Sequence, residues 1–418
     1  MIYLIAAYLW LTLHQAYNVW TWMGVFRIEK ILAAVILTAW ATAGEKTFIE
    51  NKVNLAVGLM VVAMTIAAVM SPYQSVLDNR EYYDWMKAAL LYLLMMTLIK
   101  SEKELKFLLT TMIISWFLYM GHSYYEFHCG RGSWQQGVWK IIGVDGSDAN
   151  TFGMRCNYMV PFLFPFAMLL KKKWHYLFIL AYLLLFVRVI QLTGSRTSFL
   201  MLILFAITAG VLSKHRVKII PALLIGAAVG WATLDESQKE RYRTIWDSSA
   251  GAGHTQTYAD GRLAGFYGGL EVFMTSPIWG VGPGCYRFTP VATGYGEHKG
   301  AYTHFLYGQI PSNIGLLGIL GWSSMLVCVG LNHMQIRELD NEFKRRKLEN
   351  ESKFVAALSY AIMLSFFLLL FGGFAGHNAF NWNWLWYPAF QGVGLYVLQQ
   401  KMIEVKKAES LSAAVEKC

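Results

Sequence analysis

The chain has 418 residues, 56% of them apolar and only 15% charged, and it carries a net charge of +10. A soluble chain of this length would divide into two or three domains with much more surface charge. That class is excluded, and no motif for nucleic acid accounts for the positive charge.

Along the chain the apolar residues arrive in long blocks, among them 53–70, 107–120, 174–187, 199–212 and 354–371. Crossing ~30 Å of hydrocarbon takes about 20 mostly apolar residues. Read with their flanks, the blocks predict about twelve membrane-spanning helices, centred near residues 11, 36, 61, 92, 114, 164, 182, 205, 225, 321, 364 and 390. The first is expected to stay in place, because residues 4–13 lack the basic flank and small-residue site of a cleavable signal. The fold class is therefore an all-α polytopic membrane protein, with residues 1–418 forming a single transmembrane domain. The five cysteines form no metal-binding or disulfide pattern, and Cys129 and Cys285 can pair only if both lie outside the cytoplasm.

The basic residues orient the predicted spans. With the N-terminus inside, the short inside loops and the tail hold 21 Lys and Arg, and the short outside loops hold 8. Lys171, Lys172, Lys173 and the run 344–347 are then retained in the cytoplasm, as short basic loops are. Both termini are cytoplasmic on this reading, with 399–418 as a tail, and the positive charge faces anionic lipid.

Two outside segments are too polar to span, 124–153 and the long segment 234–310. The second is aromatic throughout, which argues against disorder and for short helices lying on the bilayer surface. Within it, 261–274 is predicted as a helix with an apolar stripe of Leu263, Phe266, Leu270 and Phe273, stopped by Ser276 and Pro277. The glycines at 280, 282 and 284 then predict a tight turn with close backbone approach.

Arginines gather on this side: Arg155, Arg196, Arg241, Arg243, Arg262 and Arg287. A lone arginine at a membrane surface usually reaches a lipid headgroup or an acid. Several around one loop point instead to a phosphate-bearing ligand, which a guanidinium matches in bidentate geometry. His304 stands just before the span that opens near Pro311, and an imidazole there is suited to general-base work near neutral pH. His377 is a second candidate, while His254 and His298 lack supporting context.

Four motifs in order carry a resemblance. His304, Gln309, Asn313 and the run Gly315-Leu316-Leu317-Gly318 are similar to the His, Gln, Glu and Gly-Leu-Leu-Gly pattern of the bacterial O-antigen ligase and polymerase superfamily. Arg262, followed by a helix and then Pro277, Gly280 and Gly282, resembles the segment that precedes that histidine in the family. Ser195-Arg196-Thr197 matches the outer end of a span, and Asp148, Asn150 and Pro161 form a weaker echo. The chain departs from the family at Phe305, where Asn or Ser is common, and at Asn313, which removes a carboxylate able to orient the histidine.

The resemblance implies a lipid-linked glycan transferase of the bacterial inner membrane with a periplasmic active site. Its donor would be an undecaprenyl diphosphate-linked polysaccharide and its acceptor a sugar hydroxyl of lipid A–core. A polymerase or a protein O-oligosaccharyltransferase would use the same donor, and a transporter is the alternative from another class. On this reading Arg196 and Arg262 bind the donor diphosphate, His304 is the catalytic base, and the transfer is inverting. Neither metal nor other cofactor is expected, because no Asp-x-Asp or His/Glu constellation stands in the outside loops.

Overall fold

The computed structural model describes residues 1–44, 47–135, 137–212, 226, 228, 230–247, 254–294 and 303–415; the side chains of 212, 254–262, 294, 413 and 415 lie outside the described residues. The main elements are α1 (Ile2–His14), α2 (Ile28–Thr42), α3 (Lys52–Val69), α4 (Arg80–Leu98), α5 (Glu102–His128), a hairpin of β1 (Ser133–Gln135) and β2 (Val138–Lys140), and α6 (Ala149–Met159). They continue with α7 (Tyr176–Thr193), α8 (Arg196–Leu212), α9 (Glu236–Arg243), α10 (His254–Thr275), α11 (Leu306–Arg345), α12 (Glu349–Gly372) and α13 (Asn383–Val415). Among the described residues, five helices are long and apolar enough to cross a membrane, beginning at Lys52, Glu102, Lys173, Leu306 and Glu349. Together with α1 and α8, which are apolar but shorter, they make this a helical membrane protein. Eleven of the twelve predicted centres fall on helices, and the one near 225 lies outside the described residues.

Helix starts are fixed locally by side-chain caps. Asn51, Asn79, Ser101, Asp148 and Asp235 each accept a hydrogen bond from a backbone N–H of the first turn, worth about 1 kcal/mol per cap. One continuous apolar cluster, from Ile5 to Met402, fills the bundle. Ion pairs mark one end: Lys401 reaches Glu102 and Glu351, and Arg346 reaches Glu409. The hairpin, α9, residues 276–294 and 303–304 and the 373–382 turn lie at the other end, here called the polar end. Cys129 and Cys285 do not pair. Cys129 is exposed, and Cys285 is buried beneath Ser71 and Asn79.

Helix α11 is broken, and the break builds the site. Pro311 lies within it, and Gly315 leaves the helical region altogether at φ 64° and ψ −158°. A break exposes backbone groups that lipid cannot satisfy. Here the 277–282 segment satisfies them: Val281 N–H donates to Ser312 O (3.0 Å), Gly282 N–H to Asn313 O (3.0 Å), Leu316 N–H to Pro277 O (2.8 Å) and Leu317 N–H to Ile278 O (3.2 Å). Backbone meets backbone so closely that a Cβ on Gly280 would strike Asn313, and one on Gly315 would strike Ile278. The predicted stop after Thr275 and the glycine turn are both present.

Candidate active site

Two imidazoles meet at the start of α11. Leu306 N–H donates to Gly373 O (2.7 Å), and Ala379 N–H donates to the Gln309 side chain (3.1 Å). Phe305 packs on Phe374 and Phe266, with centroids 5.6 and 5.0 Å apart. These contacts set the Nδ1 atoms of His304 and His377 3.3 Å apart. His304 is exposed and is held at φ 47°, a left-handed backbone that costs a non-glycine residue of order 1–3 kcal/mol. Burial, and then the neighbouring His304, push His377 down to about 4, so it is neutral at neutral pH. Asn313 does not orient the histidine. It is buried, donates to Gln309 O (2.8 Å) and accepts from Tyr286 N–H (3.4 Å), which ties the 285–288 turn to α11.

A second group assembles where α7 turns into α8. Gly194 makes the turn in the left-handed region, and α9 clamps over it. Arg241 Nε donates to Gly194 O, Arg196 donates to the Thr244 hydroxyl (3.1 Å), and Tyr242 stacks on Phe199 at 4.5 Å. Lys140, at the end of β2, is 1% exposed, and its chain runs alongside Gly194. Burial and then Arg241, with a smaller contribution from Arg196, bring Lys140 down to about 7, against an upward pull from Asp148. Three basic side chains therefore share one small region. No sequence signal marks Lys140, because its packing beside the Gly194 turn leaves no periodic pattern.

Asp148 joins the two groups, because its charge acts on both Lys140 and His377. Nearby, Arg155 pairs with Asp145 at 2.8 Å. Burial would raise Asp145, but Arg155, Ser147 and Tyr119 together hold it below the usual carboxylate range. A polar cavity of about 790 Å³ opens beside them, with Arg155, Gln309 and His377 in its wall. Among the described residues, neither His304 nor Arg196 lines it. The cavity thus lies next to the imidazole pair and apart from the basic cluster.

The remaining candidates are more scattered. Arg262 is on α10, one turn before Phe266, and its side chain lies outside the described residues. Glycines on α10 let that helix press on the histidine segment: a Cβ on Gly265 would strike Thr303, and one on Gly269 would strike Gly308. Arg287 lies over the Phe288 ring at 4.7 Å, Arg243 is exposed, and Arg188 donates to Gln191 (3.2 Å). His298 and the side chain of His254 lie outside the described residues.

The fold and this site define a helical membrane protein that gathers cations and imidazoles at one end. A family model described as O-antigen ligase matches residues 180–323, a segment that contains Arg196, Arg262 and His304. The match supports the O-antigen ligase superfamily for that segment of the chain. No curated protein matches it.

Proposed function

We propose that the protein moves an O-antigen polysaccharide from undecaprenyl diphosphate to a sugar hydroxyl of lipid A–core, at the periplasmic face of a bacterial inner membrane. The observation that carries this reading is an imidazole pair and a basic cluster with Asp148 as their common charged neighbour. Arg196, with Lys140 and Arg241, offers the charge that a diphosphate needs, and Arg262 on α10 is assigned to the same role. Cations aimed at a leaving diphosphate stabilise the charge that develops as its bond to carbon breaks. Neutral His377 accepts a hydrogen bond from His304 Nδ1–H, a tautomer that puts the His304 lone pair on Nε2. His304 Nε2 takes the acceptor hydroxyl proton, the acceptor oxygen bonds to the anomeric carbon, and the carbon–diphosphate oxygen bond breaks with inversion. In this reading the chain crosses the membrane about twelve times. Residues 234–310 are periplasmic and 399–418 form a cytoplasmic tail.

Reconstitution with purified lipid-linked glycan tests the proposal, using lipid A–core, a second lipid-linked glycan and a pilin-like protein as acceptors. Transfer to lipid A–core is expected, and it is expected to persist in EDTA. His304→Ala should lower kcat about 10²–10⁴-fold while inorganic pyrophosphate still binds. Near wild-type turnover in that variant would remove His304 from the mechanism.

A further inference from the structure

The 790 Å³ cavity has a composition unlike the basic cluster. Five carboxylates line it (Glu29, Asp78, Glu81, Asp84 and Asp145) against three cations, Arg80, Lys87 and Arg155. The cations are already engaged. Arg155 is held by Asp145 at 2.8 Å, and Lys87 and Arg80 reach Asp84 at 2.9 and 3.5 Å. Glu29 and Asp78 therefore set the sign of the field, and Glu81 adds less, because burial and Asp84 push its carboxyl up. A diphosphate is repelled here and drawn to Lys140, Arg196 and Arg241. Donor headgroup and cavity occupant are sorted by charge before any contact is made.

The rest of the wall suits sugar. Trp116, Trp382, Trp386 and Tyr17 supply flat apolar faces for C–H edges, and Gln15, Asn18, Asn381 and Asn383 supply amides. Carboxylates and amides bind hydroxyls well, because a charged acceptor strengthens the bond. We infer that this cavity is the acceptor-sugar site and that it takes neutral or amino-bearing sugar residues while excluding phosphorylated and uronic acid residues. A sugar ring bound at the His377 wall lies one ring away from the base, since the His304 and His377 centroids are 5.1 Å apart, and the hydroxyl that reacts is one reaching past His377 to His304 Nε2. Naming the occupant an acceptor rests on the transferase reading; the preference for uncharged glycan does not.

The test is direct binding of three trisaccharides to the full chain in neutral-lipid nanodiscs: maltotriose, the glucosamine trimer and trigalacturonate. The first two are expected to bind at least tenfold more tightly than the third, and saturating inorganic pyrophosphate is expected not to displace them. Glu29→Gln with Asp78→Asn should bring trigalacturonate close to maltotriose, and Trp382→Ala should weaken all three. Equal or tighter trigalacturonate binding in the wild type, no binding of any glycan, competition by pyrophosphate, or an ordering unmoved by the charge variants would overturn the inference. If ordered binding is found and transfer is absent, the glycan cavity stands and the transferase reading falls. If transfer is found and ordered binding is absent, the reverse holds.

Discussion

At neutral pH the pairing of His304 with His377 depends on which nitrogen carries hydrogen. Because His377 sits at about 4 it is neutral there, and in the proposed tautomer its Nδ1 accepts from His304, the part a carboxylate would otherwise take. His377→Asp should therefore strengthen proton capture at His304, and the acid limb of the kcat profile should move to higher pH. An unmoved profile would show that the two rings do not communicate. The depressed His377 also bears on stability. Its contribution is present above about 6.5, the ordinary value, and is lost as pH falls through about 4. Melting curves of His377→Asn should therefore flatten across that window relative to wild type. Lys140 makes the complementary case. With its value near 7, an anion bound beside it draws a proton back on. Lys140→Met should raise Tm, since a buried ammonium is costly, and should weaken pyrophosphate binding roughly 10- to 100-fold. Calorimetry in two buffers of different ionisation heat would read the missing proton uptake.

Among the elements, the stapled break in α11 is the most exposed to substitution. Gly280→Ala and Gly315→Ala each place a side chain in a left-handed backbone, costing about 1–2 kcal/mol, and each adds a clash with the opposite segment. Both variants should lose monodisperse yield and Tm together. Normal melting would mean that the two segments can part without harm. The Gly280 turn, the stop at Ser276 and the Arg196 turn could all be read in the sequence, because glycine, proline and capping chemistry act locally. The His304–His377 pair could not be read that way. It joins segments 73 residues apart through Leu306, Gln309 and Phe374. Phe305 looked like a loss of polarity, yet its ring is what wedges α10 against the 373–382 turn.

Over the whole molecule, the distribution of lysine and arginine makes a prediction that native cysteines can check. A membrane-impermeant maleimide should label Cys129, which is exposed at the polar end, in intact spheroplasts. It should reach Cys418 only after permeabilisation. The opposite pattern would invert the proposed orientation. Hydropathy and apolar block length located the helices well among the described residues, because span length depends on composition alone. The cavity was invisible to them, because it is enclosed by α1, the start of α4, the 145–155 segment and the 377–386 turn, which meet only in three dimensions.

Much of the cavity wall comes from residues 12–29 and 77–87, which lie ahead of the 180–323 segment that holds Arg196, Arg262 and His304. On the proposed reading, recipient choice and donor binding are therefore encoded in separate stretches of the chain. Drift in the first ninety residues would retune recipient choice while the later part stays under separate constraint. Grafting that N-terminal stretch between homologues should swap recipients and leave pyrophosphate affinity where it was.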